Sequence, residues 1–258
     1  QIYVAKPEDA RLYNKKTSKS LQQMEKTLKK LNSSIAAVII EPILQGAGGM
    51  RIYHSDYLVQ LRKLCNKYNV LLILDEVATG FGRTGKLFGF NHANIVPDIL
   101  CLGKSLTGGY MSLAATVVTK KIAKSISEKA PGIFMHGPTY MANPLACSVA
   151  LANLNLLFSY DWEKNVKSIE TVLNDALEKI SKNKAVKDFR VIGAAGILEM
   201  KEKVDVGSIQ KKFVQHGIWL RPFSNLIYVM PPYIISKKEL KFLMKQLNTV
   251  INMEYKDL

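Results

Sequence analysis

Two short apolar runs, each the length of a β-strand and each leading into an ionisable residue, constrain this chain more than anything else in it. Val70 to Leu74 is unbroken apolar sequence ending in Asp75, and Ile99 to Leu102 leads through Gly103 into Lys104. Such runs, bounded by glycine or charge, read as buried strands of a parallel sheet. In an open α/β sheet, ligands sit beyond the carboxyl ends of the strands. Two neighbouring strand ends would therefore put a carboxylate and an amine in one crevice.

The sequence around these runs alternates in the same way. Leu21, Met24, Leu28 and Leu31 recur at helical spacing within a polar, lysine-rich stretch over 1–34. Ala36 to Ile40 is a short buried strand, followed by a glycine-rich loop from Glu41 to Gly49. Ser55 or Asp56 is expected to cap a helix running to about Lys67, with Leu58, Leu61 and Cys65 on one face. Strands are expected near 70–75, 98–102 and 112–118, and helices near 120–128 and 143–158. Beyond about residue 158 the pattern becomes α+β. A long helix is predicted over about 162–183, strands near 189–200, a helix near 206–215, strands near 217–222 and 225–230, and a last helix over about 236–252. The division predicts one domain over 1–158 and a smaller one over 159–258.

Composition excludes several classes. A chain of 258 residues with 48% hydrophobic content can bury a sizeable core. The longest apolar stretch, Met141 to Phe158, is interrupted by Asn143, Pro144, Ser148, Asn153 and Asn155, so no membrane span is expected. Cys65, Cys101 and Cys147 have no metal-ligand spacing and read as buried thiols of a reducing, cytoplasmic compartment. The net charge of +15 is nearly all lysine spread along helices, without interleaved aromatics, which reads as solvated faces rather than a nucleic-acid surface. No basic region leads into an apolar core at the N-terminus, so no signal peptide is read. The absence of an initiator Met and the polar opening lead us to expect that residue 1 lies within a longer gene product.

Single motifs are ambiguous. Asp75-Glu76 could be a metal or nucleotide-hydrolase carboxylate pair, but no Gly-x4-Gly-Lys-Ser/Thr loop accompanies it. Gly80, Gly82 and Gly85 fit a dinucleotide pattern, yet no clear helix opens after them. Lys104 could be one surface lysine among many. Its small neighbours favour close approach of a ligand, and a desolvated lysine amine is a nucleophile. Paired with Asp75 it meets what pyridoxal phosphate (PLP) chemistry requires: a lysine for the Schiff base and an acid on the pyridine nitrogen. Asn143 with Pro144 reads as a helix start, near which Thr139 could bind a phosphate. His136 reads as structural rather than catalytic.

Taken together the chain resembles the class III (ornithine/GABA-type) PLP-dependent aminotransferases of fold type I. The strings that carry the resemblance are Glu41 to Gly46, Leu74 to Gly85, Pro97 to Lys104 and Asn143 to Ala146, in that order and spacing. Leu106 to Thr116, Met135 to Pro144 and Leu220 to Tyr233 make it most similar to the biotin-pathway subgroup, which acts on 8-amino-7-oxononanoate. Ala78, where many relatives carry Gln, and the absence of Glu at Ala47 or Gly48 argue against an ornithine or GABA enzyme. The resemblance implies the C-terminal part of a PLP-binding large domain over 1–158 and an α+β small domain over 159–258, in a homodimer.

It also implies roles. Lys104 would form the Schiff base and shuttle the proton, Asp75 would pair with the pyridinium nitrogen, and Val77 would pack on the ring. Thr139 would donate to the cofactor phosphate, usually across the dimer. Arg221 would grip the substrate carboxylate, Gly137 and Pro138 would lie beside cofactor and amino donor, and Tyr228 would line the substrate tunnel. Arg83 is either near the site or an ion-pair partner of an acid such as Glu41. The implied substrates are 8-amino-7-oxononanoate and S-adenosylmethionine, with no metal. The segments that complete such a site in the family lie outside this chain. The chain is therefore expected to be an incomplete fragment of such an enzyme, with another class III ω-aminotransferase or an inactive remnant as the alternatives.

Overall fold

The computed structural model describes residues 6–256; the first five residues of the stretch read as leading into the first helix lie outside them. The described chain forms two units. Of the described residues, the first unit comprises those up to 46, 51–81 and 87–160, and the second 47–50, 82–86 and those from 161 onward. The line therefore runs after Tyr160, and two short segments of the N-terminal part belong with the C-terminal unit.

The first unit opens with helix α1 (Lys19–Leu31), capped by the Ser18 hydroxyl, then strand β1 (Ala37–Ile40). A small antiparallel ribbon of β2 (Leu44–Gln45) and β3 (Arg51–Ile52) follows. Helix α2 (Ser55–Lys67) starts one residue earlier than expected. Its cap is His54, whose Nδ1 accepts from the Asp56 N–H, so Ser55 and Asp56 are already helical. Next come β4 (Leu71–Asp75), β5 (Ile99–Leu102), β6 (Ala115–Val118), α3 (Lys120–Ser127) and α4 (Pro144–Phe158), the last capped by Asn143.

The sheet order is β1-β4-β5-β6, parallel through the first three strands and antiparallel at the last. Leu72 and Leu74 point to one face, where they pack with Leu58, Leu61 and Cys65 of α2. Side chains of the opposite face remain partly open: Ile39 is 63% exposed and Leu71 37%. Asp98 fixes the far end of the strands. Its Oδ2 accepts from Arg62 at 2.6 Å and from the Leu72 N–H at 2.7 Å. Burial pushes its carboxyl up, but the Leu72 N–H and the Arg62 guanidinium outweigh this and hold it below the usual carboxylate range.

The second unit contains α5 (Trp162–Ile180), β7 (Val186–Ile192), β8 (Ala195–Met200), α6 (Val206–Gln215), β9 (Leu226–Val229) and α7 (Lys237–Glu254). Its sheet is antiparallel in the order β7-β8-β9. Helix α5 buries Val166, Ile169, Leu173, Leu177 and Ile180, a 3.6-residue stripe. The strand expected over 217–222 is absent. That segment is irregular and makes its only bridge just beyond it, at Phe223 with Leu226, because Pro222 lacks the N–H a ladder requires. Arg190 ties this unit together, donating to the Met50 and Gly49 carbonyls and to the Asp188 and Glu199 carboxylates.

Of the three cysteines, which are all free, Cys65 is buried and its thiol is pushed up to about 11 by desolvation. Cys101 is half-buried, and Cys147 is exposed on α4, so the expectation of three buried thiols is corrected. No described helix is long and apolar enough to cross a membrane.

Candidate active site

Asp75 is the last residue of β4 and pairs in register with Cys101 of β5, three residues before Lys104. The Asp75 Oδ1 accepts from the Val77 N–H at 3.0 Å, which turns the chain sharply at the strand end. Glu76, fully buried, holds the returning loop: it accepts from the Thr79 hydroxyl and from the Gly89 and Phe90 N–H groups. Burial pushes its carboxyl up, against those three donors. The sequence placed Glu76 beside Asp75 as one pair; the fold sends the two carboxylates to different surroundings, one half-exposed at the strand end and one in the interior.

Gly103 is extended, and Lys104 then adopts a positive φ of 42°, a conformation sparsely populated by residues other than glycine. A short 3-10 turn over Lys104–Thr107 follows. Asn153 of α4 locks that turn, donating from Nδ2 to the Ser105 carbonyl at 2.7 Å and the Leu106 carbonyl at 3.3 Å. Backbone strain of this kind persists only where the surroundings over-determine it, and Asn153 supplies that restraint.

Lys104 lines an open cavity of about 660 Å3 together with Val77, Gly103, Tyr110, Met111 and Leu113. A Cβ on Gly103 would sit 3.3 Å from Val77 Cγ1, a tight contact that would shift this cavity wall by a few tenths of an ångström. The charges of Asp75 and Lys104 both act on Glu41, the residue after β1. The first unit thus brings Glu41, Asp75, Val77 and Lys104 to one edge of the sheet.

Gly137, Pro138 and Thr139 are exposed, in the irregular stretch before α4, and are not among the residues lining that cavity. Arg221 and Tyr228 belong to the second unit. Arg221 is exposed, and Tyr228 on β9 packs edge-on against Phe223. Arg83 also belongs there. Its Nη1 donates to the Ala194 and Pro231 carbonyls, both at 2.9 Å, and its guanidinium lies 4.9 Å from the Tyr233 ring centre. Burial pushes its pKa down. Among the described residues there is no cluster of three or more His, Cys, Asp or Glu that could hold a metal.

Two residues at this site escaped the sequence reading of roles. Glu41 was read only as part of a matching string and as a possible ion-pair partner of Arg83, whose Nη1 instead donates to carbonyls, and Asn153 only as a break in an apolar stretch. A polar residue inside an apolar helix signals a hydrogen-bonding duty, which is the signal that could have found Asn153.

The family model for "Aminotransferase class-III" matches residues 1–251, and the chain belongs to that family. It is 50% identical over 240 residues to the adenosylmethionine-8-amino-7-oxononanoate aminotransferase of Buchnera aphidicola subsp. Acyrthosiphon pisum, an alignment covering 93% of this chain and 56% of that relative. It is 47% identical over 234 residues to the Mycobacterium leprae protein of the same name, covering 91% and 53%. Among solved structures it is similar to an (S)-enantioselective omega-transaminase from Thermomicrobium roseum, with a TM-score of 0.85 and 33% identity over 90% of this chain and 54% of that one. Ornithine delta-aminotransferase of Plasmodium falciparum aligns with a TM-score of 0.83 at 30% identity, over 92% and 61%. The chain spans about half the length of the curated relatives it matches.

Proposed function

We propose that this aminotransferase chain carries the lysine-bearing part of a PLP enzyme that moves an amino group onto 8-amino-7-oxononanoate, giving 7,8-diaminononanoate, with S-adenosylmethionine as donor. It would act as a homodimer in the cytoplasm, in the pathway to biotin. The observation that carries the chemistry is the placement of Asp75 and Lys104 at the carboxyl ends of neighbouring parallel strands, with Lys104 and Val77 lining a cavity there. The substrate reading is supported by the relatives at 47–50% identity that bear the adenosylmethionine-8-amino-7-oxononanoate name.

The residues present fit the cofactor: an amine on a restrained turn, a carboxylate at the adjoining strand end, and a glycine at which a Cβ would press on Val77. PLP, when bound, supplies an electron sink for the carbanion that transamination creates. In that setting the Asp75 carboxylate would hold a proton on the pyridine nitrogen. Lys104 would hold the cofactor through its Nζ, and its amine would carry the proton at the substrate carbon. Val77, which lines the cavity with Lys104, would pack against the ring and keep water from it. The Thr139 hydroxyl donates to the phosphate, with Gly137 and Pro138 beside the cofactor and donor. Arg221 holds the substrate carboxylate through paired charge-assisted hydrogen bonds, and Tyr228 lines its path. For Arg83, whose described donors go to carbonyls, we propose a supporting part in the second unit rather than substrate contact.

The test is to add PLP to the purified chain, record the visible spectrum, reduce with borohydride and map the label. A pyridoxyl group on Lys104, lost in Lys104→Ala, is the expected result. A label elsewhere, or full turnover by the variant, overturns the assignment. A substrate panel then separates the two enzyme readings: activity with ornithine or GABA but not with the oxononanoate would favour another ω-aminotransferase. A chain that takes up no PLP and gains none when joined to an upstream coding segment would favour the remnant.

A further inference from the structure

The backbone at Lys104 is held from outside its own segment. Residues with a Cβ seldom adopt a positive φ, yet Lys104 stands at 42° where the Lys104–Thr107 turn begins. Two bonds close that turn from within: the Leu106 N–H donates to the Gly103 carbonyl at 2.9 Å, and the Gly108 N–H to the Ser105 carbonyl at 3.3 Å. A third restraint comes from α4. The Nδ2 of Asn153 reaches the Ser105 carbonyl, one peptide beyond Lys104, at 2.7 Å and the Leu106 carbonyl at 3.3 Å.

The fit on the other side of the same amide is as close. A Cβ at Gly108, where φ is 60°, would fall 2.5 Å from the Asn153 Oδ1. The nitrogen of this amide therefore faces the carbonyls after Lys104, and its oxygen faces the glycine that ends the turn. Further on, the buried Thr107 hydroxyl donates to the Met111 carbonyl and fastens the stretch that continues the cavity wall. Asn153 thus holds the lysine end of one arc and Thr107 its far end. A side chain leaves its Cα in a direction fixed by the backbone on either side, so whatever holds φ at Lys104 also aims the side chain that lines the cavity.

We propose that Asn153 is a positioning residue for Lys104: by gripping the turn from α4, it presents the lysine amine to a carbonyl compound in the cavity. The proposal rests on the reading that Lys104 is the reacting amine, and it assigns Asn153 a part in that reaction through the backbone.

The test uses the full chain with PLP and borohydride, scoring the pyridoxyl label on Lys104 against that on the exposed Lys129. Circular dichroism and the urea midpoint report whether each variant is folded under the labelling conditions. Asn153→Asp keeps the size but puts an oxygen where the donor was. Its Lys104-to-Lys129 ratio should fall about tenfold, since small misplacements of a reacting group are costly, and Asn153→Gln, which keeps an amide donor, should recover part of the loss. A folded Asn153→Asp chain with the unaltered ratio overturns the proposal, because an amide that served only stability would leave labelling of the folded chain unchanged. Should the aspartate variant not fold, Gly108→Ala presses on Asn153 without replacing it. It should lower the ratio in the unaltered chain and lower it no further in an Asn153→Ala background; no loss, or an equal loss in both backgrounds, overturns the proposal. Failure of the underlying reading looks different: the unaltered chain itself then shows no preferential label on Lys104, and the proposal falls with it.

Discussion

Helices α4 and α5 follow each other in sequence, yet they solve the problem of apolar surface in opposite ways. Helix α5 confines its large side chains to one stripe, and Val166, Leu173 and Leu177 are at most 1% exposed within the second unit. Helix α4 is apolar nearly all round, and the first unit leaves Leu145, Leu151, Leu156 and Phe158 between 59% and 64% exposed. A helix hydrophobic on all sides is built for burial on all sides. The same contrast divides the sheets. The second unit buries Ile197 and Leu198, successive residues of β8, so both faces of that strand are covered. The first unit buries Leu72 and Leu74 but leaves Ile39 open on the other face, although parallel sheets are ordinarily covered on both. The central strand of the second unit is covered on both faces; the first unit, which holds Asp75 and Lys104, leaves one face of its sheet partly open.

The strongest challenge to that contrast is a substitution that opens the second unit from within. Arg190→Met would leave Asp188 and Glu199 without their buried cation and free the Gly49 and Met50 carbonyls. Breaking such a pair costs about 3–5 kcal/mol, to be read from urea unfolding. A loss below about 1 kcal/mol would mean the network is dispensable. Next comes a matched pair of leucines. Leu173→Ala should cost about 2–5 kcal/mol, whereas Leu151→Ala on α4 should stay within about 0.5 kcal/mol in this chain. Equal costs would erase the difference between the helices. Asn153→Ala removes the donor that restrains the Lys104 turn and should cost about 1–2 kcal/mol, with faster amide exchange confined to 104–108 as the sharper readout.

The smallest effect is electrostatic. Glu8 is pushed up by burial, but the Ser20 and Ser18 hydroxyls and the Ser20 N–H overcome this and hold its pKa at about 2, against an ordinary 4.5. A carboxyl depressed in the folded state stabilises fully above its unfolded value and loses that contribution as pH falls toward its folded one. Unfolding midpoints should therefore drop between pH 4.5 and about 2. Glu8→Gln should flatten that slope, and an unaltered slope would remove Glu8 from the acid response.

Much of this was legible in the chain itself, and for local reasons. The runs ending in Asp75 and near Lys104 are apolar throughout and sharply bounded, so their strand character needs no tertiary help, and the stripe of α5 is equally plain. What was not legible depends on partners remote in sequence. The His54 cap competes with two better capping residues beside it. The segment over 217–222 has strand-like composition but carries Pro222 and finds no ladder. The ribbon of β2 and β3 is too short to show a period. Glu41 acquires meaning only when parallel register sets Ile40 against Leu74, and Asn153 only when α4 meets the turn after Gly103; neither contact is written in local spacing. The same holds for segments 47–50 and 82–86, which join the second unit through contacts such as Arg190 with Met50 and Arg83 with Ala194.

The ion pair of Asp98 with Arg62 lies at the opposite end of the strands from Asp75 and Lys104, and works there as a phase mark. One carboxylate oxygen simultaneously meets the start of β4 through the Leu72 N–H and the flank of α2 through Arg62. A strand advances about 3.3 Å per residue and turns its side chains over at each step. A slip of one residue would thus carry Asp75 away from Cys101 and turn its carboxylate to the wrong face. The spacing between acid and amine at one rim of the sheet is set, like the teeth of two meshed racks, by a lock on the other.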